Sequence, residues 1–496
     1  LPITLYIISD LHLGGAAPGD GSSHGFQMCP PEARRRLVAL FTHIRATHSP
    51  NDARLIVNGD FVDFLAEPVG PAVEGKAVQF AAFTADESIA LARLDRAIQN
   101  TDGEPGSGHA VFAALGDLVR AGYPLTIIIG NHDLELSLPA VRRELHRRLT
   151  GGAPHRLEWL LDGEAWTQGP VLIEHGNRYD EWNWVDHGAL RRLRAQISRA
   201  EVADGFEAPT GSVLVERVMN PLKQRYQFVD LLKPETEAVF PVLAALEPVA
   251  VGQLALPARL AATSLADKRS IPTGRPPREE AMVSRLEPSG IPAGGPTITT
   301  GCSEARLALA VEAEQSSHGV PREAVGVSWL ASATSLWRLS RSRVPNERLD
   351  RLYEAFVAFR GRDERLFHVD HEIEPYRSQA ERLASSGRVV VMGHTHVPKN
   401  VRFASGRYLN SGSWCPLIRV PAGLDVMPVK DRREVLGGFL ADLCQNRLEA
   451  WCRLTPTFVR IVLDGAEVAE ADLFEMTPNG PRRMRPDEVV GGDAPR

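Results

Sequence analysis

The sequence predicts an α/β chain with α+β character, and two observations predict it. Five short apolar runs, at 5–8, 55–58, 125–129, 170–173 and 388–392, are rich in β-branched residues, and polar residues and a glycine follow each run closely. Such runs read as buried strands. Between them lie stretches with apolar residues at helical spacing, such as Leu37, Leu40, Phe41 and Ile44, then Ile89, Leu91, Leu94 and Ile98. Strand, loop, helix and strand in this order make βαβ units, and open sheets of that kind carry their sites at the carboxyl ends of the strands.

Composition narrows the class. With 496 residues the chain is long enough for several domains, and 43% hydrophobic with 24% charged residues is globular. A net charge of −6 gives no global attraction to nucleic acid or to an anionic membrane. Cys29, Cys302, Cys415, Cys444 and Cys452 are scattered and odd in number. They suit neither a disulfide framework nor a thiolate zinc site, and they point to a reducing, cytoplasmic compartment. The apolar start runs straight into Asp10 and His12 and reads as a first strand and not a signal peptide. No transmembrane helix is expected; peripheral membrane attachment is the alternative setting.

Taken in order, the first strand ends in Asp10-Leu-His12. On an extended backbone, residues two apart share a side, so both can grip one ion. His24 lies in a Gly/Ser/Pro loop and receives no role. Helices are expected at 32–46, within 77–100, at 111–121 and at 141–149. Gly59-Asp60 closes the second strand, with Asp60 placed as a bridging carboxylate and Asp63 as a supporting group or a helix cap. The third strand delivers Gly130-Asn131-His132-Asp133, the centre of the pattern. The fourth delivers His175-Gly176, followed by Arg178, which suits either a phosphate oxygen or an ion pair with Asp180 or Glu181. The fifth delivers Gly393-His394-Thr395-His396. Residues 186–370 lack this punctuation. They read as a mainly helical insertion, with helices at 188–202, 212–232, 304–316 and 346–360, a linker at 271–296, and an Ala/Val/Leu-rich stretch at 238–266. Residues 448–463 are expected to close a second sheet, and 466–496 to form a tail. The resulting domains are 1–185 and 371–465 as a core in two parts, 186–370 as the insertion, and the tail.

Asp10, His12, Asp60, Asn131, His175, His394 and His396 are carboxylate, imidazole and amide donors without thiolate, which suits Mn, with Fe or Zn as alternatives. Seven donors exceed one ion with open positions. They fit two divalent ions about 3.5–4 Å apart sharing a carboxylate.

In this order the five motifs resemble the calcineurin-like metallophosphoesterases: D-x-H at 10–12, G-D-x-x-D at 59–63, G-N-H-D at 130–133, H-G at 175–176 and G-H-x-H at 393–396. The resemblance implies a two-sheet β-sandwich flanked by helices. It implies Asp10, His12, Asp60 and His396 on one ion, and Asp60, Asn131, His175 and His394 on the other. It puts His132 beside the scissile phosphate, where it assists the leaving group while a metal-bridging hydroxide attacks in line; Asp133 is then a group that could orient His132. Asn131 and Arg178 are the candidate substrate contacts. The Asp-Leu-His-Leu start and the Gly-His-Thr-His ending resemble a bacterial branch containing UDP-2,3-diacylglucosamine pyrophosphohydrolases. Two departures stand against that reaction: His132 where arginine is typical, and His-Gly-Asn at 175–177. A phosphodiesterase for a small or lipid-linked diester is the leading expectation. A phosphomonoesterase, a nuclease using Arg191, Arg192 and Arg194 near Trp182 and Trp184, and a non-catalytic scaffold are the alternatives.

Overall fold

The computed structural model describes residues 2–15, 27–70, 78–103, 108–153, 156–223, 226–233, 235–246, 345–360 and 364–490. His24, the linker at 271–296, the helix expected at 304–316 and residues 247–266 of the Ala/Val/Leu-rich stretch lie outside the described residues. The chain divides into two compact units, Leu1–Glu235 with Asp363–Ala422 and Ala441–Arg496, and Thr236–Arg362 with Gly423–Leu440.

In the first unit the strands are β1 (Ile3–Ile8), β2 (Ala53–Asn58), β3 (Leu125–Ile128), β4 (Leu157–Leu160), β5 (Trp166–Gln168), β6 (Val171–Ile173), β7 (Leu232–Lys233), β8 (Val389–Met392), β9 (Lys399–Phe403), β10 (Gly406–Asn410), β11 (Leu417–Arg419), β12 (Cys452–Arg453), β13 (Thr457–Asp464), β14 (Glu467–Thr477) and β15 (Gly480–Arg483). One sheet has the order β15-β14-β13-β1-β2-β3-β4, a second β5-β6-β8-β10-β9, and a small third β12-β11-β7. Strands β1 to β4 run parallel, and so do β6, β8 and β10.

Alternation along the strands builds the core. Leu5, Ile7, Ile56 and Ile128 from one face of the large sheet meet Val171, Ile173, Val389, Val391 and Leu409 of the second. Tyr6, Ile8, Leu55, Val57, Leu125 and Ile127 on the opposite face pack against helices. These include α1 (Pro31–Thr47), α2 (Glu87–Asp102), α3 (Val111–Arg120), α4 (Pro139–Thr150) and α5 (His187–Ser198). Asp86 caps α2 by accepting from the N–H groups of Ser88 and Ile89. The outer face of the second sheet, with Val390, Met392 and Tyr408, is covered by helix Tyr376–Ala384. This is the expected sandwich of two sheets flanked by helices.

Three expectations are corrected. The segment from 466 is not a tail through its first part, because β14 and β15 extend the large sheet. Its apolar residues divide between two faces, Ala471 and Leu473 in one core cluster and Phe474 and Met476 in the other, a strand pattern hidden by Pro and Gly further on. Residues 457–464 pair with β1 in the first sheet, and not the second. The unit that holds the sandwich runs on to Glu235, because Leu190 and Leu193 of α5 sit in the main core, so an insertion beginning at 186 starts too early.

In the second unit, helix Pro345–Arg360 meets the segment 429–440 through a two-pronged Arg433–Asp350 ion pair, with Nε–Oδ1 at 2.9 Å and Nη2–Oδ2 at 2.5 Å. Arg432 lies 3.9 Å from the Tyr353 ring centre. Among the described residues, no helix is long and apolar enough to cross a membrane.

Candidate metal centre

All seven donors follow the carboxyl ends of β1, β2, β3, β6 and β8. Their backbone differs from the extended geometry expected of residues two apart. Asp10 (φ 51°), His12 (φ 43°), Asp60 (φ 50°), His394 (φ 67°) and His396 (φ 61°) are all left-handed. Side chains that cost about 1–3 kcal/mol each in this region persist only where the surroundings hold them. Here the backbone is held by hydrogen bonds. Leu11 N and His12 N both donate to Asp60 O at 3.0 Å. His394 N donates to Asp10 Oδ2 at 2.9 Å, and His132 N to Asp60 Oδ1 at 2.9 Å. Gly130 lets this approach happen, since a Cβ there would collide with the Asp60 carboxylate.

The donors gather into groups that could hold an ion: Asp10, His12 and His396, and Asp60, His175 and His394, with His12, Asp63 and His132 as a third. His12 Nε2 lies 3.1 Å from His396 Nε2, and His396 Nε2 lies 3.5 Å from Asp10 Oδ1. His175 Nε2 lies 3.2 Å from Asp60 Oδ2, while its Nδ1–H donates to Asn58 O at 2.8 Å. That hydrogen bond leaves Nε2 as the ligand atom. Buried polar atoms without a hydrogen-bond partner include Asn131 Oδ1, His175 Nε2, His12 Nδ1 and His396 Nδ1. Unsatisfied buried polar atoms of this kind are costly, and a divalent ion would satisfy those that face it, so the residues fit the ions they imply.

Electrostatics separates the two sides. Burial, then the His132 charge, pushes His12 down to about 4. Burial, then the Lys233 charge, holds His396 well below its ordinary value. Both are therefore neutral donors at neutral pH, as ligation requires. For His175 burial works downward, but the Asp60 and Asp10 carboxylates win and lift it to about 10.

His132 is the least buried of this cluster's edge, with its side chain 20% exposed. Its Nδ1–H donates to Asp63 Oδ1 at 3.1 Å. Asp133, expected as a possible orienting group, does something else. Its oxygens accept the N–H groups of Gly130 (2.6 Å) and Phe61 (2.7 Å), which clamps two of the loops together. The orienting carboxylate is Asp63, which also caps the short turn Phe64–Ala66. Burial disfavours the charged ring, yet Asp60 and Asp63 outweigh it and raise His132 to about 9. The folded value exceeds the ordinary 6.5, so protonated His132 stabilises the fold fully below pH 6.5 and loses this as pH rises through about 9. In the metal-free protein the urea stability difference between wild type and His132→Gln should therefore shrink across that window; a constant difference would refute the pairing.

Other residues were not foreseen. His394 Nε2–H donates to Asp180 Oδ2 at 3.0 Å, and Asn131 Nδ2 donates to Asn183 Oδ1 at 3.3 Å. The available signal was a polar Asp-x-x-Asn turn directly after His175-Gly176. Lys223 and Lys233 are buried; Lys223 pairs with Asp230 at 2.5 Å, and its charge works against protonation of His132, after burial and against Asp60 and Asp63. They lie in the stretch without strand punctuation, so nothing in the sequence marked them. Arg178 is not brought into the group. It is 56% exposed, lies 3.6 Å from Glu174, and its guanidinium stands over the Tyr179 ring. Of the basic cluster, Arg194 is paired with Asp162.

Residues 3–204 match the family model for calcineurin-like phosphoesterases. No curated protein matches the chain.

Proposed function

We propose that this chain, with its calcineurin-like phosphoesterase region, is a two-ion phosphodiesterase. The observation that carries the reading is the pair of Asp/His groups meeting around Asp60, with His132 held at their edge by Asp63. Asp10, His12, Asp60 and His396 would hold one ion, and Asp60, Asn131, His175 and His394 the other. Manganese suits these oxygen and imidazole donors, with iron or zinc as alternatives. Bound there, divalent ions supply an activated water at neutral pH and neutralise charge on the phosphoryl oxygens.

The chain's own residues do the rest. Asp63 keeps His132 protonated and aimed, so its Nε2–H can donate to the leaving oxygen. Arg178, engaged by Glu174, adds no further clamp, which suits the single negative charge of a diester. The ester can be small or lipid-linked. A second reading, a phosphomonoesterase, is favoured by the buried Lys223 and Lys233, whose charges act on His132, His12 and His396. Turnover of bis-p-nitrophenyl phosphate and p-nitrophenyl phosphate with Mn²⁺ decides between them. Diester turnover in excess supports the first reading; monoester turnover in excess transfers the assignment to the second. No turnover of either, with two ions bound, would favour a scaffold.

A further inference from the structure

Among the polar residues around the donors, one carboxylate oxygen touches a donor and a neighbouring amide at once. Asp180 Oδ2 accepts from His394 Nε2–H at 3.0 Å and from Asn183 Nδ2 at 2.7 Å. A carboxylate only accepts, so both partners must turn their N–H toward it. For His394 this fixes the tautomer with hydrogen on Nε2 and leaves Nδ1 as the lone-pair nitrogen. For Asn183 it fixes the amide orientation, with Oδ1 facing away. Asn183 Oδ1 then receives Asn131 Nδ2 at 3.3 Å. That contact turns Asn131 Oδ1, which is buried and without a hydrogen-bond partner, the other way. The relay thus turns one oxygen, Asn131 Oδ1, and one lone-pair nitrogen, His394 Nδ1, away from itself on two separate loops.

The relay is itself braced. Trp182 N donates to Asp180 Oδ1 at 2.9 Å, and Asn177 Nδ2 donates to Asn183 O at 2.9 Å. Gly211 N donates to Trp182 O at 2.7 Å, and a Cβ at Gly211 would strike the Asn183 amide. The turn 180–183 is therefore held from both the His175 loop and the segment that follows α5.

We propose that Asp180 and Asn183 are positioning residues for the second ion, Asp180 aligning His394 directly and Asn131 through Asn183. This rests on the two-ion reading above. It assigns to a turn outside the five motifs the orientation of half of that ion's donors, His394 and Asn131, while His175 is oriented by Asn58 O and Asp60 by His132 N. Such outer partners of ligands typically change metal affinity by about 10–100-fold.

The test is Mn²⁺ titration of the metal-free full-length protein by calorimetry, with metal content after dialysis as a second measure. Wild type should bind two ions. Asp180→Ala should keep the first and bind the second about 10–100-fold more weakly. Asn183→Ala should weaken the same ion by a smaller factor. The double variant should be scarcely worse than Asp180→Ala, because both residues act along one relay. Circular dichroism checks folding, and Asn183→Ala carries the test if Asp180→Ala does not fold. Two ions at wild-type affinity in the folded variants would overturn the proposal alone. A wild-type protein that binds fewer than two ions would overturn the two-ion reading and the proposal with it.

Discussion

Replacing His132 with alanine should lower kcat by about 10²–10⁴-fold, the range for loss of a positioned general acid, and leave two ions bound. The split between rate and metal content is the informative part. His132 sits beside the donors, with its side chain 20% exposed and its Nδ1–H on Asp63; its proposed work is to protonate a departing oxygen. The defect should therefore depend on the leaving group. An aryl ester, whose phenolate leaves readily without a proton, should lose less than an alkyl ester of the same phosphate. Asp63→Asn should reproduce part of the alkyl-ester defect, because the ring loses the carboxylate that keeps it charged and oriented. Equal losses on both esters, or loss of an ion in His132→Ala, would remove the general-acid role and make His132 a ligand of the third His/Asp group.

Arg93→Ala should destabilise the protein by about 3–5 kcal/mol, as expected when one partner of a buried ion pair is removed. Arg93 is fully buried. Its Nη1 donates to Glu135 Oε1 at 2.8 Å, and its Nη2 donates to Ala81 O at 3.0 Å and also to Phe64 O. Phe64 follows Asp63 directly, and Phe64 N donates to His132 O at 3.2 Å. The pair therefore fastens the turn that carries the orienting carboxylate to the loop that carries His132. Urea denaturation measures the loss. Removing both charges as Arg93→Met with Glu135→Leu should recover most of it, since no buried charge is then left alone. If Arg93→Ala unfolds at the wild-type urea concentration, the clamp is not a stabilising element.

The strands and the gathering of the Asp and His side chains were legible because both rest on local rules. A β-branched run with a glycine and polar residues behind it announces a strand end, and five repetitions of it bring Asp10, Asp60, Asn131, His175 and His394 together. What the sequence could not display is which polar neighbour serves which donor. Asp63 and Asp133 are both carboxylates that close a motif, four residues after Gly59 and three after Gly130. Only the three-dimensional meeting of separate loops shows that Asp63 takes the His132 ring while Asp133 takes backbone N–H groups. Asp180 was missed for the same reason: His394, which it orients, lies far away in sequence. The left-handed backbone at Asp10, His12, Asp60, His394 and His396 was missed because aspartate and histidine, although enriched there among non-glycine residues, adopt positive φ too seldom to announce it.

That backbone also bears on how far the protein could be made more stable. Glycine at the three histidine positions would relieve local strain without removing a carboxylate that holds the backbone, and a search for heat-resistant variants would tend to find such changes. Each would trade activity for heat resistance, since it deletes a donor. Engineering for durability therefore has to work elsewhere, on the surfaces of α1 to α4 or along β14 and β15, and leave the strained turns as they are.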